Sequence, residues 1–383
     1  MSTIPLDYET LRLTWWFILG LVLLGFGLFG GRDLGVAIAL PIVARKDDER
    51  RLLLNLVGPT WEGNQVWLVV GGAAIFAAWP QVYAVAFSAL YPVMLLVLFA
   101  LILRPVGFKF RSKVSNPLWR QIWDAVLFIG GLVPALVFGA AFGNLFLGIP
   151  FSLERTLRIT YDGGFLNLLS PFALLCGTVS VAMIAAHGAA LIAARIDDDA
   201  INRRARRLGI AAAMAAIALF AVAGCLLSSA VDGYRVTETI ARDLPSNPLG
   251  KTVVVGQGLW LSNYALYPWT MLFPGLGFAG AMGAAISLWK KLNKTGFLST
   301  SAAIAGIICT AGASLFPFLL PSSSAPSASL TAWDSSSSHQ TLFIMLIVMV
   351  IFMPMILGYT TFLYRVMRGQ VSRRNLKSNP NAY

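Results

Sequence analysis

Residues 122–147 read IWDAVLFIGGLVPALVFGAAFGNLFL, an unbroken apolar stretch whose only charge is Asp124 near its start. A helix needs about 20 mostly apolar residues to cross the hydrocarbon layer of a bilayer, and this segment is long enough alone. Stretches of the same kind recur at 12–31, 60–80, 81–103, 167–194, 208–230, 259–288, 297–320 and 341–364. The pattern predicts an all-α membrane protein of about nine transmembrane helices, packed as one integral membrane domain over 1–383. Residues 34–43 (LGVAIALPIV) are too short to span and are expected to be the run-out of the first helix. Hydrophobic residues make up 57% of the chain and charged residues 12%, outside the range of soluble domains. The opening MSTIPLDYET carries acids where a cleavable signal needs positive charge, so the first helix is expected to be retained.

Charge placement predicts orientation. One set of loops holds Arg45, Lys46, Arg50 and Arg51; Arg104, Lys109, Arg111, Lys113 and Arg120; Arg195, Arg203, Arg204, Arg206 and Arg207; and Lys290, Lys291 and Lys294. The tail adds Arg365, Arg368, Arg373, Arg374 and Lys377, which brings 22 of the 29 basic residues to one side of a nine-span chain. The positive-inside rule then puts the N-terminus outside and the C-terminus in the cytoplasm. The net charge of +12 is thus explained by topology and lipid contact. It does not point to nucleic-acid binding, because no basic soluble domain exists to carry it.

The outer connections 148–166, 231–258 and 321–340 are longer, and the last is a Ser- and Pro-rich loop in which Trp333-Asp334 stands out. Prolines interrupt several spans, and Gly71-Gly72-Ala73-Ala74 permits close helix contact, as in a packed bundle.

Only two histidines occur, His187 and His339. Haem or copper inside a bilayer is normally ligated by several imidazoles, so if the chain belongs to a redox complex, another subunit is expected to hold the metals. Cys176, Cys225 and Cys309 lie in separate spans without metal-ligand spacing and read as packing residues.

Ionisable groups within a span cost several kcal/mol and are functional candidates by default. Five fall in the cytoplasmic third: Asp33 at the end of the first helix, Glu62 opening the second, Arg104 ending the third, Asp124 opening the fourth, and His187 near the inner end of the fifth. Each also has a plain reading. An acid in a first helical turn is favoured by the macrodipole, as at Glu62 and Asp124; Arg104 is placed to snorkel to the interface; a lone histidine is most often a hydrogen-bonded core residue. Glu62 differs in its company. Thr60-Trp61-Glu62-Gly63-Asn64-Gln65-Val66-Trp67 opens a span with four hydrogen-bonding side chains and two indoles, more than interfacial anchoring needs.

Here the chain closely resembles subunit II of cytochrome bd quinol oxidase, and the resemblance runs nearly full length. It includes Tyr8-Glu9 and Arg12 before Trp15-Trp16, Asp33-Leu34-Gly35, Asp47-Asp48-Glu49-Arg50-Arg51 and Phe76-Ala77-Ala78-Trp79-Pro80. Further along come Arg104-Pro105-Val106-Gly107-Phe108, Ala141-Phe142-Gly143-Asn144, Asp232-Gly233-Tyr234, Ser246-Asn247-Pro248, Phe316-Pro317-Phe318 and Ala328-Ser329-Leu330-Thr331 with Trp333-Asp334. Each piece is weak and the ordered set is strong.

The resemblance implies a multi-pass protein of the bacterial cytoplasmic membrane, paired with a haem-bearing subunit I and with a small accessory subunit as a further candidate partner. Subunit I of this family carries two b-type haems and one d-type haem and reduces O2 to water with electrons from quinol. Subunit II is a haem-free companion, inactive alone, with roles in assembly and in proton or O2 access, and it is a candidate to hold a structural quinone. Carried over by position, Glu62, Asp33 and Arg104 are expected on the proton route. Trp67 is expected beside an apolar gas path, with Asn64 and Gln65 as motif residues. One departure stands out: Gly30-Gly31-Arg32-Asp33 has lost an acid and gained a cation relative to the family pattern. No role transfers to His187. The alternative is a proton-coupled secondary transporter, which broken helices and intramembrane acids suit. Against it, no inverted repeat is visible and the polar groups gather near one face. A purely structural assembly subunit is a third reading.

Overall fold

The computed structural model describes residues 4–373 apart from 239 and 241. Arg374 and Lys377 of the basic tail therefore lie outside the described residues. The chain runs through α1 (Tyr8–Gly25), a π turn (Phe26–Gly30), α2 (Gly31–Val43), α3 (Asp47–Val57), α4 (Trp61–Ala78), α5 (Pro80–Ala89) and α6 (Tyr91–Phe110). It continues through α7 (Pro117–Leu147), α8 (Pro171–Arg195), α9 (Asp199–Ser229), α10 (Ser262–Leu266), α11 (Leu272–Trp289), α12 (Asn293–Leu315) and α13 (His339–Val366).

Among the described residues, eight helical stretches are long and apolar enough to cross a membrane. The remaining predicted span, α4, falls short because its first turns are the polar residues of the Trp61–Trp67 motif. Residues 34–43 continue the first helix, as their reading as its run-out expects, and the helix also begins before residue 12. Tyr8–Val43 is one continuous stretch of 36 residues, so Asp33 lies inside it instead of ending it. The predicted 81–103 span is two helices that meet at Leu90, just before Pro92; proline at the second position of α6 has no N–H to continue α5. The 259–288 segment likewise begins as short turns and α10 before α11 starts at Leu272. The segment predicted as a loop at 44–59 contains a helix. In α3, Leu52, Leu53, Leu54 and Val57 are buried while Asp47, Asp48 and Glu49 occupy its positive N-terminal end.

Packing separates the helices sharply. In α8, 72% of the most apolar window is buried, against 6% in α13, so α8 is the central helix and α13 lies at the edge. Small residues make the central contacts close. A Cβ placed on Gly35 of α2 would lie 2.2 Å from Ile184 O of α8, and one on Gly306 of α12 would lie 2.1 Å from Gly277 N of α11. These backbone approaches are the ones small residues permit in membrane bundles.

The two sets of loops come together at opposite ends. At one end, three antiparallel hairpins form: β1 (Phe151–Leu153) with β2 (Ile159–Tyr161), β3 (Asp232–Val236) with β4 (Val253–Gln257), and β5 (Phe318–Leu320) with β6 (Leu330–Thr331). The Ser-rich segment is ordered there. Asp334 accepts from Thr331 N at 2.8 Å and pairs with Lys251 at 2.6 Å. Burial pushes the Asp334 carboxyl up and the Lys251 amine down, and their attraction opposes both shifts. Arg12, fully buried, ties α1 to this end through Ser336 Oγ at 2.8 Å, Leu244 O at 3.1 Å and Arg242 O.

At the other end the basic loops interlock. Arg111 reaches Asp124 at 2.5 Å and Asp47 at 2.9 Å, Arg50 reaches Asp124 at 2.7 Å, Arg120 reaches Asp47 at 2.8 Å, and Arg204 reaches Glu49 at 2.8 Å. Arg373 bridges Asp48 and Asp198, while Val371 N–H donates to Arg195 O at 2.8 Å. These contacts bind α3, the adjoining ends of α6 to α9 and the chain after α13 into one cap.

Candidate functional site

Above that cap, charged and polar side chains converge on Asp33. The carboxyl is 1% exposed, and its Oδ2 accepts from Asn64 Nδ2 at 2.8 Å. Asn64 Oδ1 in turn accepts from the Tyr364 hydroxyl at 2.6 Å. The pairing orients the amide, because a carboxylate only accepts and the phenol donates to the amide oxygen. Three elements, α2, α4 and α13, therefore hold one carboxylate in one orientation. Its Oδ1 is left without a protein partner.

Arg104 completes the group. It is 1% exposed, so it does not snorkel to the interface as its position near the end of a span suggested. Its Nε, Nη1 and Nη2 have no hydrogen-bond partner. Gly130 makes room for its stem, since a Cβ there would meet Arg104 Cγ at 2.6 Å. Asp33 and Arg104 attract one another electrostatically, yet no contact within 4 Å joins them among the described residues. Buried polar atoms without a protein partner are normally satisfied by water.

The cation at Arg32 is accommodated by aromatic faces. Its guanidinium carbon lies 4.2 Å from the Tyr364 ring centre and 4.9 Å from that of Phe29. Phe29 stacks on Tyr364 at 5.8 Å and on Trp67 at 5.5 Å. Trp67 is buried, and Gly25 is what admits it: a Cβ there would lie 2.3 Å from the indole. Trp67 also lines an apolar cavity of about 1430 Å³ whose walls include Phe26, Phe138, Phe142, Phe220 and Tyr264.

The remaining predicted residues separate from this group. Glu62 is on the outward face of α4, at the head of an exposed stripe that continues through Val66, Val69 and Phe76. Gln65 is half-buried. Asp124 belongs to the basic cap through Arg111 and Arg50. Thus Asp33, Asn64, Arg104 and Trp67 come together, Glu62 faces away, and Tyr364 and Arg32 join without having been expected at the site. A tyrosine in the last turns of an otherwise apolar span was the available signal for Tyr364. His187, left without a role, is buried and bonded to Thr300 and Leu28.

Fold and site together describe a multi-spanning helical membrane protein with a buried carboxylate–guanidinium site near its basic end and a large apolar cavity beside it. A family model for the cytochrome bd terminal oxidase subunit II matches residues 11–367, and the chain belongs to that family. It is 45% identical over 380 residues to the probable cytochrome oxidase subunit 2 of Haemophilus influenzae, covering 98% of this chain and 99% of that protein. It is 42% identical over 377 residues to the cytochrome bd-I ubiquinol oxidase subunit 2 of Escherichia coli strain K12, again covering 98% and 99%. Its fold matches the bd oxidase structure from Geobacillus thermodenitrificans with a TM-score of 0.64 at 16% identity, over 94% of this chain and 99% of that one. The protein is therefore a terminal-oxidase subunit, a component of an oxidoreductase complex. The alternative of a proton-coupled secondary transporter finds no support.

Proposed function

We propose that this chain is the haem-free subunit of a quinol:O2 oxidoreductase in the bacterial cytoplasmic membrane, a single integral membrane unit with its N-terminus outside and its C-terminus inside. Its partner is the subunit that carries haems b and d. Electrons pass from quinol to O2 in the partner, and this chain supports assembly and supplies protons. The orientation follows from the positive-inside rule, because the basic residues gather in the cap at one end.

The single observation that carries the proton role is the pairing of an oriented buried carboxylate, open at Oδ1, with a buried guanidinium that has no partner. Asn64 cannot pass a proton onward without changing its amide, so it positions Asp33 and leaves Oδ1 as the exchanging atom. Water between Asp33 and Arg104 provides the path. Arg104 holds negative charge on Asp33 without quenching it through a direct ion pair. Glu62 reads as the second acid of the route, placed where the partner covers α4: a carboxylate turned toward lipid costs several kcal/mol, and a protein partner removes that cost.

The chain's own residues do not suit haem ligation. His187 has both ring nitrogens engaged and stacks on Phe297 at 4.7 Å, and His339 contacts Leu6 O at 2.7 Å near the outer end. The apolar cavity suits an alkyl or prenyl chain, with Tyr264 and Ser314 as hydroxyls in its lining. That supports a structural quinone held by its tail, or a gas path past Trp67. The assignment is tested by co-expressing a tagged chain with the haem-bearing subunit. Co-purification with a d-type absorption band and quinol-dependent O2 consumption supports it. A colourless chain that retains no haem-bearing partner contradicts it.

A further inference from the structure

His187 takes no part in the relay, yet it is among the most enclosed polar side chains of α8. It is 1% exposed and lies flat on Phe297 at an interplanar angle of 17°. Its Nε2 is 3.2 Å from Leu28 O. A carbonyl oxygen only accepts, so Nε2 carries a hydrogen directed at Leu28. The Thr300 hydroxyl lies 2.8 Å from both Nδ1 and Phe297 O, and with the hydrogen on Nε2 it donates to Nδ1, which then accepts.

Leu28 is the middle residue of the π turn Phe26–Gly30, where Gly31 N–H reaches back five residues to Phe26 O. A π turn adds one residue to the helix and disturbs the regular carbonyl ladder. One residue is about 100° of helical rotation at 3.6 residues per turn. The turn therefore decides the direction of every side chain that follows on α2, and Asp33 follows at once. Without it, the carboxylate would point about 100° away from Asn64 and Arg104.

The helix is gripped on both sides of Asp33 by α8. His187 takes Leu28 through its imidazole, and the next residue, Gly188, meets Gly35 backbone to backbone: a Cβ on Gly188 would lie 2.1 Å from Gly35 C. The glycine contact sets the separation of α2 and α8. Among the described residues, the imidazole is the one side chain that donates to a carbonyl of the wide turn.

We propose that His187 is a positioning residue of the oxidase, holding the π turn through Leu28 O so that Asp33 is aimed at Asn64 and Arg104. The proposal rests on the reading of Asp33 as a proton-carrying group. It requires a donor at position 187, not an imidazole as such.

The test uses the assembled complex with haem content, quinol KM and turnover measured for His187→Leu, His187→Gln, Asp33→Asn and the double variant of His187→Leu with Asp33→Asn. The leucine variant is expected to lower turnover about tenfold with haem content and KM unchanged, since it removes the side-chain donor that holds Leu28 O. Glutamine, whose amide also donates, is expected to restore most of it. The double variant is expected to be no slower than Asp33→Asn alone, because both changes act through one carboxylate. Normal turnover in Asp33→Asn removes the role of Asp33 and this inference with it. A slow Asp33→Asn beside an unaffected His187→Leu overturns the inference alone. So does a glutamine variant as slow as leucine, or a full additional loss in the double variant. Should His187→Leu lose its haem, Thr300→Val decides: it keeps the imidazole and frees its far side. A partial slowing absent from the Asp33→Asn background supports the proposal, and an unchanged rate overturns it.

Discussion

Asp33 and Arg104 are each 1% exposed, and each leaves polar atoms unpaired while the other stands nearby without touching it. A direct buried ion pair would satisfy both groups and hold the carboxylate ionised, with the proton fixed on the guanidinium. Instead Asp33 Oδ1 and the three guanidinium nitrogens are left without a protein partner, the feature on which the proposed proton role rests. The contrast with Asp124 shows the difference. That carboxylate accepts from Arg111 at 2.5 Å and from Arg50 at 2.7 Å.

Asp124→Asn is accordingly expected to act on stability and not on chemistry. Removing one partner of a buried pair costs at most about 3–5 kcal/mol; Arg111 is fully buried but keeps Asp47 at 2.9 Å, so the loss falls below that limit. The assembled variant should show a lowered Tm and reduced yield, with turnover per haem unchanged.

Glu62→Gln is expected to slow turnover or proton uptake by about tenfold or more, in keeping with loss of a proton-transferring group, while haem content stays near normal. Stopped-flow oxidation of the reduced complex measures it. Unchanged turnover removes the role assigned to Glu62, and loss of haem assigns it to structure.

Gly35→Ala probes the α2–α8 approach. Its methyl group would lie 2.2 Å from Ile184 O and 2.8 Å from Gly188 N, and backbone cannot yield as a side-chain tip does. Overpacking of this kind costs about 1–3 kcal/mol. A lowered Tm of the purified complex is the expected reading.

The basic cap carries a pH dependence. Glu49 is buried at the start of α3; burial alone would raise its carboxyl, but Arg204 at 2.8 Å and the N–H groups of Arg45 and Lys46 outweigh it and hold it below its ordinary value. A carboxyl depressed in the folded state contributes stability above its unfolded pKa and loses that contribution as pH falls through the folded value. The cap is therefore expected to loosen as pH drops below about 4.5, the unperturbed value. Limited proteolysis within 44–59 should increase there, and Glu49→Gln should be susceptible at neutral pH as well.

How much of this was legible in the sequence depends on what each signal measures. Apolar length located the helices, and charge separated the loops into the two sets that the structure brings to opposite ends. Apolar length could not show which face of a helix turns inward, because lipid and protein core are equally apolar. Glu62 and Asn64 sit two residues apart in one motif, yet one faces outward and the other is buried. The site depends on that difference. Arg104 looked free to reach the interface, but Gly130 on a neighbouring helix makes the pocket that buries it. Tyr364 lies 300 residues from the amide it bonds, a distance no local pattern spans. The π turn left a trace in Phe26-Gly27-Leu28-Phe29-Gly30, but the carbonyl it presents to His187 appears only once α8 is packed against it.

The most direct test of the account is proton uptake from the cytoplasmic side by the assembled oxidase carrying Asp33→Asn, reconstituted in vesicles and followed with a pH indicator during a single turnover. Intact haems, normal quinol binding and proton uptake slowed about tenfold or more are expected, as loss of a relay carboxylate should produce. Uptake at the unaltered rate, with haems intact, would contradict it.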